Sequence, residues 1–244
     1  MLPRFYAPDL SPDDGSARLS PEESHHLARV LRLVRGDQVA VFDGRGVEWR
    51  ARVDQASRDA ARLSLVEPIP TQSPKVAITL VQAVLKLESM EDVVRDCTMA
   101  GVAVIQPVVA ARTTVKTSAL KSAPERWRRV ALASAKQCGT ATLPEVREVV
   151  RFEAWLAAPL TPPSYLLIEP GAAPTEVTTV RQLAMAPVPD AAVLMVGPEG
   201  GWIVDERDAA LAAGARPLSL GPMTLRASTV ALAAAAALVA IWEA

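Results

Sequence analysis

Two polar residues stand in glycine- and proline-rich segments near the C-terminus, and both could carry out chemistry. Glu199 lies in "VLMVGPEGGW" (193–202), where its carboxylate could accept a proton, bind a ligand or accept hydrogen bonds from the amides of its own loop. Arg226 lies in "LGPMTLRAST" (220–229), and its permanently charged guanidinium could stabilise a developing anion or only clamp a phosphate or carboxylate. We predict that Arg226 and Glu199 are catalytic.

Both segments follow short apolar runs with the composition of buried strands, and a third such run (164–169) continues into "IEPGAAP" (168–174). Small residues at a strand end allow a ligand to approach the backbone closely. In parallel sheets, ligands bind beyond the carboxyl ends of the strands. None of the three segments has the spacing of a P-loop or of GxGxxG, which disfavours phosphate or dinucleotide sites of those types.

The elements that would position these loops form a regular alternation after residue 75. Continuous apolar strands alternating with helices predict a parallel sheet covered on both faces. The strand-like runs are 76–84, 102–110, 164–169, 192–196 and 216–220, and the helical stretches lie near 88–100, 122–138, 175–184, 204–213 and 226–242.

The first part of the chain has a different pattern. Short β-like runs at 38–44, 46–53 and 61–66 are separated by turns, and Ser20-Pro21 is a good start for one helix over 21–32. A proline-rich stretch at 67–75 interrupts the pattern and reads as a linker. We therefore predict two domains, a small β-rich one at 1–70 and an α/β one at 75–244.

Composition narrows the class of protein. Half of the 244 residues are apolar and the net charge is −1, yet residues 112–136 hold seven basic side chains against one acidic. Such a cluster suits a polyanionic partner, although a solvated helix face would read the same. The longest apolar run, 230–242, is too short to span a membrane as a helix, and the N-terminus lacks a signal-peptide core. We expect a cytoplasmic protein without a membrane segment.

Metal and disulfide chemistry are not indicated by the sequence. Cys97 and Cys138 give no disulfide framework. His25 and His26 are adjacent but have no third histidine or nearby cysteine to complete a zinc site, so we read them as structural residues of the helix. We predict that the protein binds no metal.

The paired C-terminal motifs point to a family. "VGPEGGW", followed about twenty residues later by "LGPMTLRAST" and an alanine-rich helix, resembles the RsmE family of SPOUT-superfamily methyltransferases, which act on 16S ribosomal RNA. At the N-terminus, "PRFY" and "HHLARVLRLVRGDQVAVFDGRG" (25–46) are similar to the PUA-like RNA-binding domain of that family. The resemblance covers most of the chain.

The resemblance implies more than the residue pattern does. It implies a small β-barrel-like (PUA-like) N-terminal domain and a parallel α/β SPOUT domain whose C-terminal segment forms a trefoil knot, an exception to unknotted topology. It also implies a homodimer that uses S-adenosylmethionine to methylate N3 of one uridine, uridine 1498, in the 16S rRNA of the small ribosomal subunit.

Site residues follow from these motifs and from the distribution of charge. The methyl donor is expected against the three strand ends, with Thr229 capping the last helix and reaching into the site. The residues expected to bind it are Leu167, Ile168, Glu169, Val196, Gly197, Gly200, Gly201, Leu220, Gly221, Leu225 and Thr229. Cations expected to grip RNA phosphates are Arg4, Arg29, Arg32, Arg35, Lys86 and Arg112.

Two other functions remain open at this point. Met99, Met223 and Ser228 depart from the family pattern, so the chain could be an RNA-binding protein with a degenerate catalytic domain. It could also be an α/β enzyme that uses another nucleotide cofactor, although the absence of phosphate-loop motifs disfavours this. Binding of S-adenosylmethionine would separate the first alternative from a methyltransferase.

Overall fold

The structure is a computed structural model that describes residues 2–160, 162–170 and 176–243. The chain divides into two compact units, Met1–Ser73 with Ala135–Leu143, and Pro74–Ser134 with Pro144–Ala244. The end of the "IEPGAAP" segment and the first residue of the helix predicted over 175–184 lie outside the described residues.

The first unit is built on one five-stranded sheet. Its strands are β1 (Arg4–Tyr6), β2 (Ser16–Arg18), β3 (Gln38–Phe42), β4 (Glu48–Gln55) and β5 (Arg62–Pro68). They lie in the order β1-β3-β4-β5-β2, so β1 and β2 form the two edges. The β1–β3 pair is parallel and the other pairs are antiparallel. Side chains such as Phe5, Leu27, Val41 and Leu63 form the buried core of this unit.

The helix expected over 21–32 is shorter and changes type. Helix α1 (Pro21–His25) begins at Ser20, whose hydroxyl accepts a hydrogen bond from the amide of Glu23 at 3.2 Å. A π-helical turn, His26–Val30, continues it, with the amide of Leu31 donating to the carbonyl of His26. Arg32 then adopts a left-handed conformation (φ 55°), which ends the helix.

The second unit contains a parallel sheet, as predicted. Its strands are β6 (Ala77–Ala83), β7 (Val104–Val109), β8 (Glu145–Val146), β9 (Val150–Arg151), β10 (Ser164–Leu167), β11 (Thr178–Thr179), β12 (Ala191–Val196) and β13 (Arg216–Ser219). They lie in the order β11-β13-β10-β12-β6-β7-β8, and β9 also pairs with β7. Every pair in this sheet is parallel.

Helices cover both faces of this sheet. They are α2 (Leu87–Met99), α3 (Ala123–Cys138), α4 (Phe152–Leu156), α5 (Val180–Ala184), α6 (Val204–Ala212) and α7 (Ala227–Trp242), and residues 135–138 of α3 belong to the first unit. One apolar cluster joins the sheet to α2, α3, α5 and α7. A second cluster, with Phe152 of α4 and Ala210 of α6, lies on the other face. The prediction of a doubly covered sheet is confirmed.

Two local differences from the predicted elements have physical reasons. The helix expected at 175–184 begins only at Val180, because Thr179 and Gln182 form a capping box that fixes its start. Helix α4 and the strands β8 and β9 were not predicted because segments of two to five residues show no clear periodicity. Within the described residues, no helix is long and apolar enough to cross a membrane.

Candidate active site

The segments that follow β10, β12 and β13 line one cavity of about 620 Å³ in the second unit. The carboxyl ends of these parallel strands meet at one edge of the sheet, as the sequence predicts. Leu85 and Ser89, beyond the end of β6, complete one wall, and Arg112 and Arg207 add charge. The remaining lining residues are Leu167–Pro170, Val196–Trp202, Leu220, Gly221, Met223–Ser228 and Val230.

Nearly all of the residues predicted for the donor and for catalysis line this cavity. Arg226 and Glu199 both do, and so does every predicted donor-binding residue except Thr229. Thr229 is exposed and is the third residue of α7, whose N-cap position is occupied by Arg226. The prediction that Thr229 caps this helix is therefore wrong, because the helix begins at Ala227, three residues before the position that would follow a Thr229 cap.

The glycines of "GPEGG" lie close to side chains of their own and of neighbouring loops. A Cβ at Gly201, which has φ +70°, would lie 3.2 Å from Glu169 Oε1. A Cβ at Gly200 would lie 3.2 Å from Cδ of Arg112, and one at Gly197 would lie 3.2 Å from the indole nitrogen of Trp202. These distances are shorter than ordinary carbon contacts, so the loop packs against its neighbours through bare backbone.

Glu199 bridges two loops of the cavity. Its Oε1 accepts a hydrogen bond of 3.3 Å from the backbone amide of Lys86, the N-cap residue of α2. The sequence also suggested that this carboxylate accepts hydrogen bonds from amides of its own loop. In the structure it accepts one from the segment after β6 instead. Glu199 and Lys86 are both exposed.

Arg112 holds the same glycine loop from another side. Its Nη1 donates a hydrogen bond of 2.7 Å to the carbonyl of Gly200. The sequence suggested an RNA contact for this residue, but the structure gives its guanidinium an intramolecular acceptor in the cavity wall. One charged hydrogen bond therefore joins the segment after β7 to the segment after β12.

Glu206, in the first turn of α6, is a residue that the sequence analysis missed. It is buried, with only 4% of its surface exposed. Its Oε1 accepts from the amide of Ala111 at 2.7 Å, and its Oε2 accepts from the amide of Ile203 at 3.2 Å. One carboxylate thus ties the start of α6 to the loop that carries Arg112. Its spacing of three residues from the helix start is a capping signal that could have found it.

Arg4, one of the cations predicted to bind RNA, is buried inside the first unit. Its side chain is 5% exposed and forms an ion pair with Glu48, with 2.8 Å between Nε and Oε1. Its two terminal nitrogens donate to the carbonyls of Ala135 and Thr140 at 2.6 and 3.0 Å. Since Arg4 is buried and hydrogen-bonded through all three nitrogens, the prediction that it grips RNA is corrected. Arg29, Arg32 and Arg35 are exposed.

The cavity suits a ligand of the size and character of S-adenosylmethionine. Its volume lies within the usual range for small-molecule sites, roughly 300–1,000 Å³. Leu167, Ile168 and Val196 offer apolar surface for an aromatic base, while Glu169 and Glu199 could accept hydrogen bonds from hydroxyl or ammonium groups. The described part of the chain contains no cluster of three or more potential metal ligands.

Comparison with known proteins defines the class. A family model described as an RNA methyltransferase domain matches residues 71–239, and a model described as an RNA methyltransferase PUA domain matches residues 19–66. These matches make the chain an RNA methyltransferase with a PUA domain.

Individual relatives narrow the class further. The chain is 32% identical to ribosomal RNA small subunit methyltransferase E of Synechocystis, and the match covers 94% of this chain and 75% of the relative. It is also 32% identical to the Mycobacterium tuberculosis protein of that name, and this match covers 100% of this chain and 95% of the relative. It belongs to the ribosomal RNA small subunit methyltransferase E family.

Solved structures agree with this assignment. The Neisseria gonorrhoeae ribosomal RNA small subunit methyltransferase E bound to S-adenosylmethionine is 29% identical, with a TM-score of 0.86 over 99% of this chain and 98% of that one. A Legionella pneumophila putative methyltransferase in complex with the same cofactor is 28% identical, with a TM-score of 0.86 over 98% of both chains.

Proposed function

We propose that this protein transfers a methyl group from S-adenosylmethionine to N3 of one uridine in 16S ribosomal RNA, with uridine 1498 as the expected target. The observation that carries the proposal is the convergence of the segments after β10, β12 and β13 on one cavity of about 620 Å³. The Synechocystis, Mycobacterium tuberculosis and Neisseria gonorrhoeae relatives support it, because each carries the name of a small-subunit RNA methyltransferase. The Neisseria gonorrhoeae and Legionella pneumophila structures support the donor, because both contain bound S-adenosylmethionine.

The cofactor, when bound, supplies an electrophilic methyl group on a sulfonium. The chain contributes position and electrostatics. Glu169 and Glu199 supply carboxylates to the cavity wall that would accept hydrogen bonds from the donor, and the side chains of Leu167, Ile168 and Val196 supply apolar surface against which its adenine would pack. The glycine loop is held in place by Arg112 and by the link from Glu199 to the amide of Lys86.

Uracil N3 becomes nucleophilic only when it loses its proton, which passes to solvent water in this proposal, and the resulting charge spreads onto O2 and O4. We assign stabilisation of that charge to Arg226, which lines the cavity and carries a permanent charge. Glu199 has a positioning role in this proposal, because it is exposed and bonded to the Lys86 amide. Its replacement by Gln should lower donor affinity while leaving the acidic limb of the pH–rate profile in place. Loss of that limb would identify Glu199 as the base.

The finer features of the family belong to the same proposal. We propose that the segment from β13 to α7 threads a trefoil knot, that two copies form a homodimer, and that the enzyme works in the cytoplasm on the small subunit or its RNA. The similarity to the two solved structures over almost the whole chain supports a shared chain path, and the dimer and the cytoplasmic location follow from the resemblance to the family. Light scattering at micromolar concentration tests the dimer, and a monomeric mass would refute it.

The decisive experiment maps methylated uridines in small-subunit RNA from cells with and without the gene. One N3-methyluridine should disappear without the gene and return when it is restored. Purified protein incubated with labelled S-adenosylmethionine and the unmodified RNA should methylate the same uridine. An unchanged RNA together with failure to bind S-adenosylmethionine would instead favour an RNA-binding protein with a degenerate catalytic domain.

A further inference from the structure

Arg207 is a cation of the cavity wall to which the proposed function gives no role. It lies near the start of α6, lines the cavity, and has a side chain that is 30% exposed. Its amide donates to the carbonyl of Ile203 at 3.1 Å, and the preceding Glu206 is buried and bonded to two backbone amides. The guanidinium therefore extends into the cavity wall from a helix start that is held on two sides.

Arg207 keeps donors that a ligand can use. Its Nε donates to Oδ1 of Asp208 at 3.1 Å, and within the described part of the chain neither of its terminal nitrogens has an acceptor. The Asp208 side chain is 60% exposed, and an ion pair between neighbours so open to solvent contributes little. Both terminal nitrogens remain available as the parallel donors with which a guanidinium binds two oxygens of one phosphate.

The charge of the cavity wall shows that an anion is needed there. Three arginines and two glutamates line the cavity, so the wall has one positive charge in excess. Residues 171–175, which lie outside the described ranges, include no ionisable side chain. S-adenosylmethionine is itself a cation at neutral pH, because its sulfonium and ammonium groups outnumber its one carboxylate. The excess charge therefore opposes binding of the methyl donor.

The other two arginines of the wall already have partners in the structure or in the proposed reaction. Arg112 donates to the carbonyl of Gly200, and Arg226 is assigned to the charge that develops on uracil. Arg207 is thus the cation left to meet the missing anion. The carboxylate of the donor does not remove the excess, because it enters the cavity with two positive groups attached. A phosphate of the RNA does remove it.

We propose that Arg207 binds a phosphate of the RNA beside the target uridine, and that this phosphate raises the affinity of the cavity for the methyl donor. By thermodynamic linkage, RNA and S-adenosylmethionine then strengthen each other's binding by the same factor. The product S-adenosylhomocysteine has no sulfonium charge and gains nothing from the phosphate. The inference rests on the proposed function and adds a preference for the donor over the product once RNA is in place.

Calorimetry without RNA tests the charge argument in full-length protein. Arg207→Gln should bind S-adenosylmethionine about two- to fourfold more tightly, the effect of one unit charge at roughly 10 Å with an effective dielectric constant of about 40–80. It should bind S-adenosylhomocysteine with unchanged affinity. Arg207→Lys keeps the charge, so both affinities should equal those of the wild type. A purely structural role for Arg207 predicts instead that the Gln variant binds both ligands more weakly.

Binding of deproteinised small-subunit RNA tests the phosphate contact. Arg207→Gln should lower this affinity several-fold and flatten the slope of log affinity against log salt by about 1. Arg207→Lys should have an intermediate affinity, because an ammonium cannot form the paired bonds. Saturating RNA should raise the donor affinity of the wild type about two- to fourfold and that of Arg207→Gln not at all. The control is Arg216→Gln, an exposed charge at the end of β13 opposite the cavity, which should change none of these quantities.

The outcomes separate this role of Arg207 from the methylation itself. If Arg207→Gln binds donor and product equally more weakly, Arg207 holds the carboxylate that both share or only supports the fold, and the phosphate contact is refuted. If wild-type protein methylates the RNA and Arg207→Gln binds it with unchanged affinity and salt slope, the contact is refuted and the proposed function stands. Equal effects in Arg216→Gln would also refute it, since net charge alone would explain them. If wild-type protein neither binds S-adenosylmethionine nor methylates the RNA, both proposals fail.

Discussion

The Nη1 atom of Arg112 lies 2.7 Å from the carbonyl oxygen of Gly200, so a side chain from the segment after β7 holds the glycine loop after β12. A carbonyl that accepts from a guanidinium at this distance is fixed in orientation, and the neighbouring amides are fixed with it. The shape of the cavity therefore depends on a contact between segments almost ninety residues apart, which glycine-rich sequence alone would not maintain.

Replacing Arg112 with Ala should weaken binding of S-adenosylmethionine about tenfold. A hydrogen bond to a charged group contributes roughly 1.5–3 kcal/mol, and 1.4 kcal/mol is a factor of ten, so an exposed bond belongs at the lower end of that range. Titration calorimetry measures the change. Arg129→Ala, an exposed arginine of α3, is the matched control. If the variant keeps its affinity for the donor but its affinity for RNA depends less steeply on salt, Arg112 binds RNA, as the sequence predicted, and does not shape the donor site.

Replacing Glu206 with Gln should lower the free energy of unfolding by about 1–3 kcal/mol. The amide has one acceptor oxygen, so its NH₂ group must face either the Ala111 or the Ile203 amide, each of which is itself a donor. Urea unfolding measures the loss. Asp205→Asn removes an acidic group from the same helical turn at an exposed position and should have little effect. Equal stability of the two variants would contradict the link between the loops.

Replacing Gly201 with Val should abolish detectable donor binding while the protein still folds. The new side chain would start 3.2 Å from Glu169 Oε1 and would displace a wall of the cavity, in addition to straining a backbone with φ +70°. Gly214→Val isolates the strain, because Gly214 has φ +97° but no atom within 4 Å of its Cβ position. Calorimetry that showed normal donor binding by the Gly201 variant would overturn this assignment.

Replacing Arg226 with Ala should reduce turnover about 10²–10³-fold, the usual effect of removing one group that stabilises transition-state charge. Donor affinity should change much less, because the charge on the uracil develops only during the reaction. Single-turnover methylation assays and calorimetry separate the two quantities. A variant with a normal turnover number and a raised RNA KM would show that Arg226 only positions the substrate.

Stability should fall as pH rises from about 9 toward 12. Cys97 lies on the buried face of α2, and this burial raises the pKa of its thiol from 9.0 to about 12. In this range the unfolded chain therefore loses a proton that the folded chain keeps. Because only the unfolded state loses this proton, a rise in pH shifts the equilibrium toward unfolding. Urea unfolding at pH 8 and pH 10 measures the slope, and Cys97→Ala should reduce it. The same burial should protect Cys97 from alkylation at pH 8.5, where exposed Cys138 reacts.

The sequence was sufficient to predict the elements with a strong hydrophobic pattern and the position of the glycine-rich loops. Strands β6, β7 and β12 could be located because they are continuous apolar runs, and the three loops could be assigned to one edge because parallel strands end together. The burial of Arg4 and the bond from the Ala111 amide to Glu206 could not be predicted, because a charged residue becomes buried only when distant partners meet it. Thr140 lies 136 positions from Arg4, and Ala111 lies 95 positions from Glu206.

The strand order has a consequence for synthesis of the chain. Strand β12 lies between β6 and β10, and β13 lies between β10 and β11, so the last two strands made occupy interior places between strands made earlier. Until residue 219 has left the ribosome, those earlier strands have unpaired edges, and the walls of the cavity are incomplete. A chain released early would therefore expose apolar strand edges to aggregation and to proteolysis.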